Sequence, residues 1–97
     1  MLKIKNLVND LNNHAVNQFI VEYKNKVWFQ SYDTIIAVKK TDGSVIISED
    51  WNYSKTTRKH LYIWLRDYAH FYVSSYEDVV DLINRHEIQV VKILNYS

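Results

Sequence analysis

The sequence predicts an α+β domain: an antiparallel sheet of four to five strands, made of two hairpins plus a C-terminal strand, packed on one face by two to three helices. Three observations point there. Short β-rich runs fill the first half of the chain, the apolar period lengthens to a helical one after Lys55, and Asp42-Gly43 stands between two of the β-rich runs as a hairpin signal. With 97 residues, 47% of them hydrophobic, the chain is enough for a single domain over 1–97 and too short for two independent cores.

Residues 2–12 set Ile4, Leu7, Val8 and Leu11 at helical spacing with Lys3, Lys5, Asn9 and Asp10 between them, which predicts a short amphipathic helix. After the Asn12-Asn13 break, Gln18 to Tyr23 and Lys26 to Gln30 are β-rich, and Lys24-Asn25 between them reads as a tight turn. A second hairpin pairs Thr34 to Lys39 with Ser44 to Ser48 through Thr41-Asp42-Gly43-Ser44. From Lys55 to about His70, Leu61, Trp64, Leu65, Tyr68 and Tyr72 form a stripe that should face the sheet. Ser74-Ser75 then offers an N-cap, with Glu77 and Asp78 suited to a first turn and Val79, Val80, Leu82 and Ile83 making an apolar face that ends near Arg85-His86. Ile88 to Leu94, rich in β-branched residues, returns as a strand.

Composition removes several classes of function. The formal charge of +1 fits neither a charge mimic of DNA nor a general polycation. Without cysteine there is neither a disulfide framework nor a thiolate metal site, as expected of a cytoplasmic chain. No apolar run approaches the roughly 20 residues that span a bilayer, so no membrane partner is expected. One glycine and no proline leave no phosphate-cradling loop, and no cofactor is expected. Eight tyrosines and three tryptophans suit either core filling or an interface.

The most informative stretch runs from Trp51 to Arg66. Ser54 is a good N-cap, so Lys55, Arg58 and Lys59 fall in the first turns of a helix, where the macrodipole already presents positive potential. An exposed cation there costs about 0.3–1 kcal/mol unless an anion offsets it. At about 100° per residue Lys55, Arg58, Lys59, Tyr62 and Arg66 share one side. Residues 51–66 carry no acid, whereas 67–87 hold Asp67, Glu77, Asp78, Asp81 and Glu87 against Arg85 alone. The basic side, with Tyr53 just before it, can meet phosphates or an acidic protein. The plainer alternative is a solvated face whose cations pair with Glu49 and Asp50.

Other constellations are weaker. Two consecutive helices invite a helix-turn-helix reading, but Asp78, Asp81 and Glu87 would face phosphate. His14, His60, His70 and His86 include no i, i+4 pair, so no metal is expected, and Asp67 with His70 is better explained as a surface hydrogen bond than as an acid/base pair. No catalytic residue stands out, and the chain reads as not an enzyme.

Two segments, Gln30 to Ala37 (QSYDTIIA) and Trp51 to Leu61 (WNYSKTTRKHL), carry a resemblance. They are similar to a group of very small, functionally uncharacterised proteins of bacteriophages and plasmids of low-GC Gram-positive bacteria, with an aromatic-Ser-Tyr strand followed by Trp-Asp/Asn-Tyr-Ser-x-Thr-Thr-x-Lys-His/Tyr-Leu. Trp51, Tyr53, Ser54, Thr56, Thr57 and His60 are the matching positions, and most have structural readings: Trp51 plugs the sheet-to-helix junction, Ser54 caps, and Thr57 lies on the buried side. The leading segment and Ile88 to Leu94 fall outside that pattern. The resemblance implies a phage or mobile-element origin and no mechanism. With the small size, the tyrosines and the basic patch, it leads to the expectation of a non-catalytic, cytoplasmic accessory protein, monomer or homodimer, that binds a host protein or nucleoprotein complex, such as an anti-CRISPR-like inhibitor of a nucleic-acid-targeting defence system. The alternative is a small single-stranded DNA- or RNA-binding protein that uses Lys55, Lys59, Tyr62 and Arg66.

Overall fold

In a computed structural model, which describes residues 2–96, strands β1 (Lys3–Val8), β2 (His14–Tyr23), β3 (Lys26–Ser31), β4 (Thr34–Lys39) and β5 (Val45–Ser48) lead through a 3-10 turn (Glu49–Asn52) to helices α1 (Lys55–Ala69) and α2 (Tyr76–Asn84), and then to β6 (Ile88–Val91). The six strands form one sheet in chain order. The first five make an antiparallel meander and β6 runs parallel to β5.

Both predicted hairpins form. Lys24 (φ 54°) and Asn25 (φ 61°) both take the left-handed conformation that a two-residue turn between twisted strands requires. In the β4–β5 turn Gly43 sits at φ 89°, and the Asp42 carboxylate accepts from the Ser44 hydroxyl (2.6 Å) and backbone N–H (2.9 Å). These two bonds hold the Asp42 carboxyl below its ordinary value.

Three expectations need correction. Residues 2–12 do not form a helix: Lys3–Val8 is the edge strand β1, paired with β2. Of the four apolar residues at helical spacing only Leu7 is buried, while Ile4, Val8 and Leu11 are exposed. The Asn9 side chain accepts from the N–H groups of Leu11 and Asn13 (both 3.0 Å), and Asn12 is left-handed (φ 62°). That local turn competes with the helix and sends the chain back into β2. The sheet is mixed rather than antiparallel, with six strands rather than four to five. Ile88 to Val91 can pair in either direction, and α1 and α2 return the chain to the starting end of β5, where Val45 lies opposite Ile88. Finally, Tyr72 does not extend the α1 stripe. It lies past the His70 cap (φ 61°) and is exposed.

The caps do form as the sequence predicts. Ser54 Oγ accepts from Thr57 N–H at 3.1 Å, and Ser75 Oγ accepts from Asp78 N–H at 3.2 Å. Leu61, Trp64 and Leu65 of α1 and Val79 and Leu82 of α2 close over Ile20, Phe29, Ile36, Ile47 and Ile88 of the sheet. Trp51 is buried at the sheet-to-helix junction and stacks on Tyr76, ring centroids 5.3 Å apart. A smaller cluster of Val21, Trp28 and Val38 occupies the reverse face. There the Tyr96 ring meets Trp28 edge-on at 4.8 Å, and its hydroxyl donates to Gln30 Oε1. Among the described residues no helix is long and apolar enough to cross a membrane.

Candidate functional site

Lys55 and Lys59, in the first two turns of α1, are exposed and make no ion pair among the described residues. No acid stands in that first turn. Arg58, half-buried, donates from Nη1 to the neutral Asn52 Oδ1 at 2.9 Å, so its charge is oriented but not neutralised. Glu49 and Asp50, the internal partners considered from sequence, pair with none of these cations. Tyr53 is 84% exposed beside them.

The rest of the basic side behaves differently. Arg66 bonds Asp10 through Nη1 (2.9 Å) and Asp67 through Nε (2.8 Å), and both carboxylates hold the guanidinium more firmly charged than usual. It is therefore compensated from within the fold, first by the adjacent Asp67 and then by Asp10, which the β1–β2 loop brings to it and which helical periodicity does not show. Tyr62 packs partly against the main core, and burial raises its phenol above the ordinary range. Among the six candidate residues the structure thus gathers Tyr53, Lys55, Arg58 and Lys59 at the start of α1, keeps Tyr62 beside Arg58 one turn on, and ties Arg66 to its own acids. With Asp67 engaged by Arg66 and His70 acting as the left-handed cap, no hydrogen bond joins Asp67 to His70. Among the described residues no three of His, Asp or Glu come together as a metal site.

Periodicity also missed a cleft of about 400 Å³ beside the start of α1. The β3–β4 turn supplies Tyr32 and Asp33 on one wall, the 3-10 turn and α1 supply Asp50, Tyr53 and Thr57 on the other, and Ser31 lies deeper. Tyr32 is 60% exposed and held at φ 55° by two backbone bonds: its N–H donates to Asn17 O, and its carbonyl accepts from Gln30 Nε2, both at 2.7 Å. The signal that could have found the cleft is the pair of segments carrying the resemblance, since Gln30 to Ala37 builds one wall and Trp51 to Leu61 much of the other.

The chain matches the Family of unknown function (DUF8033) over residues 2–81. It belongs to that family. The DUF8033 match takes in β1, so the leading segment is part of the family pattern rather than outside it, and it ends within α2, ahead of β6. Both walls of the cleft and the whole basic face lie inside the DUF8033 region. No curated protein and no solved structure matches the chain.

Proposed function

We propose that this DUF8033 protein is a non-catalytic accessory protein of a phage or other mobile element that works in the bacterial cytoplasm by binding a host macromolecule, and that it inhibits a nucleic-acid-targeting defence system in the manner of an anti-CRISPR. One observation carries the binding role. Among the described residues Lys55 stands exposed and unpaired in the first turn of α1, where the dipole makes a cation unfavourable, and Lys59 stands exposed and unpaired one turn on, so an incoming anionic surface relieves an unfavourable arrangement instead of competing with an internal pair. Arg58, fixed by Asn52, adds a third oriented charge.

Direct binding of single-stranded DNA or RNA is the weaker reading. Of the four residues it needs, Arg66 is neutralised by Asp10 and Asp67, and Tyr62 is partly buried. Two free lysines make too few phosphate contacts for useful affinity at physiological salt. Affinity purification from host lysate tests the proposal: a stoichiometric partner released by salt is expected, and recovery of none contradicts it. Gel-shift assays at low salt separate the two readings, since strong retardation of a single-stranded oligonucleotide would favour the second.

A further inference from the structure

The cleft beside α1 has a chemistry opposite to that of the lysines next to it. Asp33 and Asp50 face it from separate elements, and neither carboxylate forms an ion pair or accepts a hydrogen bond among the described residues. The exposed Tyr32 and Tyr53 rings flank them. Deeper in, Ser31 is only 4% exposed, yet its hydroxyl has no hydrogen-bond partner among the described residues. Lining the cleft without a protein partner, this hydroxyl has its lone pairs and proton available to whatever enters.

We propose that the cleft receives an arginine side chain from a protein partner. A guanidinium offers five N–H donors in a plane and a flat face. The donors suit two carboxylates and a hydroxyl, and the face suits a tyrosine ring. The start of α1 opposes a cation with roughly half a positive charge, but Lys55, Arg58 and Lys59 do not line the cleft, and the charged side chains that do line it are the two carboxylates, which outweigh the helix end. Phosphate is excluded by the same carboxylates. The inference rests on the binding role proposed above and narrows it: a partner that offers acids to Lys55 and Lys59 and an arginine to the cleft is a protein surface of mixed charge, not a nucleic-acid backbone.

The test is a ¹⁵N NMR titration of the full chain with the capped tripeptide Ac-Ala-Arg-Ala-NH₂, its citrulline counterpart and inorganic phosphate. The arginine peptide should shift the amides of Ser31 to Thr34 and Asp50 to Thr57 saturably, and the uncharged citrulline peptide should bind at least about tenfold more weakly. Asp33→Asn and Asp50→Asn, both at exposed residues and checked by thermal melting, should each weaken the arginine peptide by about tenfold. Absence of saturable shifts, equal response to citrulline, shifts confined to the acids of α2, or phosphate binding at the same amides would each overturn the proposal. No host partner enters this experiment. The variant Lys55→Glu/Lys59→Glu should lose the host partner and keep the arginine response, so the two ideas fail separately.

Discussion

Tyr32 shows at the scale of one residue how this chain manages turns with a single glycine. Asn12, Asn17, Asn25, His70 and His86 take left-handed positions, work that asparagine tolerates through its short polar side chain. Tyr32 is bulky, gains no such local bond from its side chain, and still sits at φ 55°. Strain of this kind persists where the surroundings enforce it. Tyr32→Asn is therefore expected to stabilise the fold, by up to about 1 kcal/mol in chemical denaturation, while removing the arginine-peptide response. A destabilised Asn variant would mean that the ring holds the turn. Asp78 gives a second residue-scale outcome. Its carboxylate accepts from the Ser74 N–H (2.9 Å) and hydroxyl (3.3 Å), bonds that hold its pKa below the ordinary 3.8. Protonation is thus harder in the folded than in the unfolded chain. The contribution is complete above the unfolded value and is lost as pH falls through the lowered one, so melts between pH 5 and 2 should show a decline below about pH 4 that Asp78→Asn flattens.

At the scale of elements, the caps and hairpins were legible because their chemistry is local. Ser54 and Ser75 bond an N–H three residues on, and Lys24-Asn25 and Asp42-Gly43 meet the backbone demands of their own turns. Replacing Ser54 by Ala should lower stability by about 1 kcal/mol. What was not legible depended on distant partners. The apolar spacing of residues 2–12 satisfies a helical period, but β2 offers β1 a ladder of backbone bonds, and the Asn9 turn breaks the helix before it can extend. The direction of β6 likewise depends on where α1 and α2 deliver the chain. Ile88, 2% exposed and opposite Val45, makes β6 part of the main core although it lies beyond the DUF8033 match. Ile88→Ala should accordingly cost about 2–5 kcal/mol in denaturant unfolding. A loss below 1 kcal/mol would show β6 to be a loosely attached edge. The cleft was illegible for a related reason. Its walls come from a hairpin turn and a helix start about twenty positions apart, and only the fold brings Asp33 and Asp50 to one opening.

For the whole molecule, 32 × 30 × 22 Å in extent, the near-zero formal charge hides a division of labour. The sequence divides into a basic stretch and an acidic one, and the structure moves the boundary. Arg66 joins the compensated half through Asp10 and Asp67, and the acids opening α2 act on Tyr62 at the middle of α1. At the start of α1, Lys55, Arg58 and Lys59 stay without an acidic partner among the described residues. Lys55 lies about 18 Å along the helix axis from Asp67, roughly two Debye lengths at physiological salt, so that acid scarcely screens it. Partner binding through this end should weaken as salt rises, with the steepness set by these cations and not by Arg66. The most direct measurement is parallel capture from host lysate with the wild-type chain, Lys55→Glu/Lys59→Glu and Arg66→Gln. A stoichiometric partner is expected on wild type and Arg66→Gln, and its loss on the lysine double variant. Equal recovery on all three, or on none, would contradict it.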